Sequence, residues 1–79
     1  MKFYVYYLKR RWAKPGEIEA ACVVDTSAWS ARMQICAIVS MELHSAWQDP
    51  EAVEVTRIAE CNVLSEMPRI LITSVKQGK

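Results

Sequence analysis

The chain has 79 residues, of which 52% are apolar and 24% are charged, and its formal net charge at neutral pH is +1. This size predicts one small domain spanning residues 1–79, and this composition excludes wholesale disorder. The near-neutral charge excludes an acidic mimic of nucleic acid and a protein that binds nucleic acid through bulk positive charge.

The uncharged segments, the amino terminus and the cysteines of the chain indicate the compartment in which it resides. The longest uncharged run, from Met33 to Met41, is far shorter than a membrane span, and the amino terminus lacks the pattern of a signal peptide. We therefore expect a cytoplasmic protein. Its three cysteines, Cys22, Cys36 and Cys61, are too few and too widely spaced for a disulfide framework or a zinc site, so we expect reduced, buried thiols.

Two alternating sets of large side chains predict a first strand over residues 2–11. We assign one set to the helix side of the sheet and leave Tyr4 and Tyr6 on the open side. A one-residue error would exchange the two sets. The set assigned to the helix side is Phe3, Val5 and Tyr7.

Residues 13–16 predict the clearest turn, because Pro15 followed by Gly16 is the order that a type II turn prefers. The second strand follows over residues 17–24. Glu17 and Glu19 lie on its outer side, where they can reach Trp12 and Arg10 across the hairpin. The inward side chains are expected to be Ile18, Ala20, Cys22 and Val24.

The segment from Asp25 to Leu43 contains no glycine or proline after its capping candidates Asp25, Thr26 and Ser27, and it predicts one long helix. Apolar residues at helical spacing predict the core face. These are Ala28, Ala31, Ile35, Ile38 and Val39.

A second apolar set on this helix lies on an adjacent face and includes Trp29, Met33, Cys36 and Ala37, with Arg32 among them. Two interpretations remain open. Trp29 and Met33 pack at the edge of the sheet while Arg32 extends past them to solvent, or this face contacts a second chain, because Trp, Met and Arg are enriched in interfaces.

Residues 44–51 are expected to connect the helix to the third strand by a single turn, with a continuation of the helix to Trp47 as the alternative. The third strand runs from Val53 to Cys61 with a bulge near Arg57, because Ile58 is out of phase. Residues 62–68 are expected to form a longer hairpin connection to a fourth strand over residues 69–75. The fold class is therefore α+β (ββαββ), with a four-stranded, largely antiparallel sheet and one helix on one face.

No constellation of residues predicts catalysis or a metal site. His44 is the only histidine, and Cys36 lies eight residues before it. The only glycines are Gly16 and Gly78, which excludes a glycine-rich phosphate loop. We expect a protein that is not an enzyme and that has no cofactor.

The best candidate for a binding site is the basic, aromatic first hairpin, because residues 1–14 contain five of the ten cations and no acidic residue. Aromatic side chains interleaved with cations suit nucleic-acid contact, a protein interface or an ordinary solvated hairpin. The candidate partner-binding residues are Tyr4, Tyr6, Lys9, Arg10, Arg11, Trp12 and Lys14, with Trp29, Arg32 and Met33 of the helix.

In the order of its predicted elements, the chain resembles small phage-encoded anti-CRISPR proteins of ββαββ fold. The segments that carry the resemblance are 3–7, 15–20, 25–32, 53–55 and 69–72. The resemblance implies a non-enzymatic inhibitor, acting in the cytoplasm of a bacterial host, that binds an RNA-guided CRISPR surveillance complex and blocks target DNA. No position-specific motif accompanies the resemblance, so no family site residue is transferred.

Two other functions remain open. One is a small nucleic-acid-binding regulator or antitoxin-like module that uses the basic first hairpin. The other is a homodimer with a structural role, in which the second apolar face of the helix is buried in a two-fold contact.

Overall fold

Four antiparallel strands form one sheet in the computed structural model, which describes residues 2–61 and 67–78. The spatial order of the strands is β3-β1-β2-β4, so the first two strands are central and the last two form the edges. The α+β class and the antiparallel sheet are confirmed. The strands are β1 (Phe3–Arg10), β2 (Ile18–Asp25), β3 (Val53–Cys61) and β4 (Arg69–Val75).

The position of β3 and β4 at opposite edges corrects one expectation. A hairpin between these strands was predicted over residues 62–68, but the two strands pair with β1 and β2 and not with each other. Residues 62–66 lie outside the described residues. Sequence alternation identifies a strand but carries no information about its neighbour, so the hairpin was assumed from proximity along the chain.

The register of β1 shows that the assignment of its two faces was wrong. Tyr6 pairs with Val23 and Leu8 with Ala21, and all four side chains are buried in the core. Tyr4, Tyr6 and Leu8 therefore face the helices, whereas Phe3, Val5 and Tyr7 lie on the other face. Both sets are bulky, so alternation alone could not choose between them.

The inward set of β2 was also partly wrong. Ala21 and Val23 belong to the core cluster, whereas Cys22 pairs with Tyr7 on the opposite face. Ile18 nevertheless packs against the core as predicted. An extra residue in β2 between Ile18 and Ala20, which pair with the consecutive residues Val75 and Ser74, changes the phase of the strand.

The predicted long helix is two short helices joined by a turn. α1 (Ala28–Cys36) begins at Ser27, whose Oγ accepts a hydrogen bond from the Ser30 N–H at 3.1 Å. It ends before the β-branched pair at residues 38 and 39, which has low helix propensity. A 3₁₀ turn (Met41–Leu43) and α2 (His44–Gln48) follow.

This break returns the chain to the core and buries Trp47 completely. A tryptophan is the largest apolar side chain available to such a small domain, so its burial favours the break over a longer helix. Ala31 and Ile35 of the predicted core face are buried, but Ala28 and Ile38 are exposed. Trp47 was placed in a connector from the sequence and was missed as a core residue.

The bulge predicted in β3 is confirmed. Val5 pairs with Ala59 and Tyr6 pairs with Arg57, so Ile58 is the extra residue. The side chain of Gln34 fixes α1 to the end of β2. Its Nε2 donates to the Val24 carbonyl oxygen at 2.9 Å and to Asp25 Oδ2 at 2.7 Å. None of the helices in the described part of the chain is long and apolar enough to cross a membrane.

Candidate partner-binding site

The tip of the β1–β2 hairpin is a well-defined turn. The Glu17 N–H donates to the Lys14 carbonyl oxygen at 3.0 Å, and Gly16 has a φ of 87°. A positive φ at the third position, after a proline, defines the predicted type II turn, which is confirmed. The turn fixes the backbone on both sides of the cationic stretch.

The Glu17 carboxylate joins the two strands of the hairpin. Its Oε1 accepts a hydrogen bond from the Lys14 N–H at 2.9 Å and one from Arg10 Nη1 at 2.7 Å. The Lys14 N–H and, after it, the Arg10 guanidinium hold the pKa of Glu17 below its usual range. Only 11% of the Arg10 side chain is exposed, so this arginine is engaged in the hairpin itself.

Lys9 is engaged more weakly than Arg10. Its Nζ lies 3.4 Å from Glu19 Oε1, at the long end of a hydrogen bond between exposed groups. The predicted contact across the hairpin is therefore confirmed for Arg10, which pairs with Glu17, whereas Glu19 contacts Lys9, which was not predicted. The remaining cations of this end are available to contact a ligand or a partner.

Three cations at this end have no side-chain partner within residues 2–61 and 67–78: Arg11, Lys14 and Lys76. Lys76 is the member that sequence reasoning missed. Its N–H donates to the Glu17 carbonyl oxygen at 2.8 Å, and its carbonyl oxygen accepts from the Gly16 N–H at 3.0 Å. This pairing places Lys76 beside the hairpin tip. No signal in the sequence could have shown it, because the placement depends on β4 pairing with β2.

Arg11 and Lys76 line an open hollow with a volume of about 270 Å³, and Lys14 lies in the adjoining turn. Trp12, which follows Arg11 in the chain, is 72% exposed. Several cations around one hollow create a positive potential suited to an anionic group, and an exposed tryptophan adds apolar contact area. We call this surface the basic hairpin end. The hollow is lined by Lys9, Arg10, Arg11, Ala13, Glu19 and Lys76.

The two tyrosines of the predicted site lie elsewhere. Tyr6 is buried, and desolvation raises its pKa. The face of Tyr4 is covered by Arg57, whose guanidinium carbon lies 4.6 Å from the ring centroid. Neither ring offers a free face on the open side of the sheet, where both were expected.

Arg32 is a buried structural residue, which corrects the expectation that it extends to solvent. Its Nη1 donates to the Trp47 carbonyl oxygen at 3.1 Å and, at 3.4 Å, to that of Asp49. Desolvation lowers its pKa, and the carboxylate of Asp49 partly opposes that effect. Arg32 therefore joins α1 to the end of α2 and holds Trp47 in the core.

Trp29 and Met33 remain exposed on α1, one turn apart. α1 starts directly after β2 ends, so Trp29 lies at the sheet end opposite the hairpin tip. β1 has eight residues and spans about 26 Å. The structure therefore gathers Lys9, Arg11, Trp12 and Lys14 at one end and separates them from Trp29.

The chemistry available at the other candidate groups is limited. Cys36 is buried, and desolvation raises its pKa, so its thiol stays protonated at neutral pH. Its Sγ approaches the backbone carbonyl oxygen of His44 at 3.7 Å. Within the described ranges no group of three or more His, Cys, Asp or Glu side chains could hold a metal ion.

Comparison with known proteins found no matching family model, no matching curated protein and no matching solved structure.

Proposed function

We propose that this chain is a small non-enzymatic binding protein that occludes a surface of a larger protein or ribonucleoprotein. The observation that carries the proposal is the basic hairpin end, where Arg11 and Lys76 line a hollow beside the exposed Trp12 and Lys14 lies in the adjoining turn. An exposed tryptophan beside arginine is the composition found at the energetic centres of protein interfaces. The turn and the Glu17 contacts hold this surface in one conformation before binding, which lowers the entropic cost of association.

The resemblance to anti-CRISPR proteins gives the proposal its specific form. In that form the partner is a CRISPR surveillance complex, and the cations cover a site that would otherwise contact the backbone of target DNA. A positive surface binds such a site only where acidic groups lie next to it, since the nucleic-acid site itself is positive. The partner surface is therefore expected to be mixed in charge.

A direct test measures target-DNA binding by purified surveillance complexes of several types, with and without this protein. We expect one complex to lose DNA binding in its presence. Arg11→Glu should abolish that inhibition, and Trp12→Ala should weaken binding by at least about 2 kcal/mol, the range of interface hot spots. Lys2→Glu is the matched control. It makes the same change of charge near the other end of β1, where it removes only an exposed ion pair with Glu60, and it should leave inhibition intact.

The result that would reject the CRISPR form is DNA binding unaffected in every complex. Affinity capture with the Arg11→Glu variant as reference then tests the broader proposal. A partner retained equally by wild type and Arg11→Glu would show that the basic hairpin end does not contact that partner.

A nucleic-acid-binding regulator is the second candidate, favoured by three cations near Trp12, namely Arg11, Lys14 and Lys76, whose side chains have no partner among the described residues. The placement of Tyr4 and Tyr6 leaves it without the stacking platforms that it would need on the sheet. Salt separates the two candidates. Contact with several phosphates predicts an affinity that falls steeply with ionic strength, whereas a protein interface centred on Trp12 predicts a shallow dependence.

A further inference from the structure

The two edges of the sheet differ in how they resist the addition of another strand. β3 carries Glu54, Arg57 and Glu60 along its length, together with the bulge at Ile58. Charges and bulges on an edge strand are devices that prevent edge-to-edge pairing. β4, in contrast, has no charged residue from Ile70 to Val75. The sheet therefore has one protected edge and one unprotected edge.

β4 also presents apolar side chains to solvent. Ile72 is 65% exposed and Val75 is 44% exposed, and Leu71 is exposed as well. A β-branched, uncharged and exposed edge strand is a template for pairing with another strand. The backbone groups of β4 that do not point toward β2 decide which strand it accepts.

The direction of those groups follows from Lys76. Both its N–H and its carbonyl oxygen bond to the β2 side, at Glu17 and Gly16. Residues alternate along an antiparallel strand, so Ser74 also points toward β2, whereas Thr73 and Val75 point their backbone groups outward. The irregularity near Ile18 adds its extra residue to β2, so the alternation in β4 is unbroken from Ile72 to Lys76.

We propose that β4 pairs with β4 of a second copy of this chain, antiparallel, about a two-fold axis at Ser74. In this register Thr73 of each copy lies opposite Val75 of the other, and these are the residues whose groups point outward. Each such pair exchanges two N–H···O=C bonds, so the dimer gains four hydrogen bonds and one continuous eight-stranded sheet. The pattern is self-complementary, which is why the occupant is a second copy.

The charges of the strand agree with this register. Lys76 of each copy lies opposite Ile72 of the other, so its aliphatic stem packs on an apolar side chain while its ammonium group remains in water. No like charges face each other directly. Leu71 is an extra residue of β4, because Ile70 and Ile72 pair with the consecutive residues Val23 and Cys22. A shift of two residues toward the amino terminus would bring this irregularity into the ladder, and the opposite shift would require residues beyond the strand. The contact uses a single strand from each copy, far fewer than the roughly 20–30 residues per partner of a standard interface, so the dimer dissociates on dilution.

The test is sedimentation equilibrium of the full chain from about 10 μM to about 1 mM, a range that covers weak dimers. We expect a reversible monomer–dimer equilibrium. Thr73→Pro removes an N–H that points away from β2 and fits an edge strand, so it should weaken dimerisation roughly 30-fold through the loss of two of the four hydrogen bonds. Ile58→Lys on the β3 edge is the control and should leave the equilibrium unchanged.

Hydrogen exchange gives a second measurement that does not depend on a variant. The amides of Thr73 and Val75 should gain protection as the protein concentration rises. Circular dichroism establishes that Thr73→Pro is folded, and Val75→Lys, which adds a charge at the same edge, replaces it if it is not. A monomer at all concentrations, or a dimer disrupted by Ile58→Lys and not by the β4 variants, would overturn the proposal.

Discussion

Replacement of Arg32 measures whether this residue holds the helices together or contacts a partner. Its guanidinium supplies the donor for the Trp47 carbonyl oxygen at 3.1 Å and a weaker one for Asp49 at 3.4 Å. In Arg32→Met the buried carbonyl loses a charge-assisted bond, which costs about 2 kcal/mol. Arg32→Ala also removes two buried methylenes at about 0.8 kcal/mol each, so its total cost is roughly 3.5 kcal/mol.

The assay is urea and thermal unfolding followed by circular dichroism. For a domain of this size, each kcal/mol lowers the melting temperature by about 4–8 °C, so Arg32→Met should melt roughly 10–15 °C below the wild type. Arg11→Met is the matched control, because Arg11 is exposed and has no side-chain partner in the described part of the chain. It should change stability by no more than about 0.5 kcal/mol.

Two results would refute this reasoning. If Arg32→Met were as stable as Arg11→Met, the hydrogen bonds to α2 would contribute nothing beyond the cost of burying the charge. If Arg32→Met kept its stability and lost partner binding, Arg32 would belong to an interface, as the sequence suggested.

Two further predictions concern the hairpin. Gly16→Ala should destabilise the protein by about 1–2 kcal/mol in urea unfolding, because this residue has a φ of 87°. Nothing lies within 4 Å of an added Cβ, so the cost is backbone strain alone. An unchanged midpoint of urea unfolding would contradict the turn geometry. The pKa of Glu17 is lower in the folded than in the unfolded state, so its contribution is fully present above the ordinary pKa of a glutamate and is lost as the pH falls through the lower, folded-state pKa. Glu17→Gln should therefore flatten the loss of stability in that acidic range, and an identical pH profile would show that the Lys14 and Arg10 contacts do not persist in solution.

The elements that could be predicted from the sequence were those defined by local chemistry. Pro15 and Gly16 fixed the turn, Ser27 was among the capping candidates, and the phase error at Ile58 located the bulge. In each case the signal lies within a few neighbouring residues. The strand count and the α+β class followed from these elements.

The features that were missed depend on tertiary contacts. Arg32 and Trp47 are fifteen residues apart, and the burial of each depends on the other. The arginine is buried because it donates a hydrogen bond to the carbonyl oxygen of the tryptophan. The helix breaks where it does because the break lets the tryptophan reach the core. Lys76 joins the basic hairpin end only because β4 pairs with β2. The faces of β1 were exchanged because both of its side-chain sets are bulky and β2 alone selects between them.

The two proposed surfaces are related through Lys76. This residue lies at the rim of the basic hollow and two residues from the proposed two-fold axis at Ser74. At about 3.3 Å per residue, the two copies of Lys76 in a dimer are separated by roughly 13 Å along the strands. The dimer would thus carry two basic hairpin ends near one axis, and a partner with two acidic surfaces at that spacing would bind with an effective concentration that a monomer cannot provide. Thr73→Pro and Arg11→Glu separate these contributions. If both surfaces act together, Thr73→Pro lowers the apparent affinity only for such a repeated partner, whereas Arg11→Glu lowers the affinity for every partner.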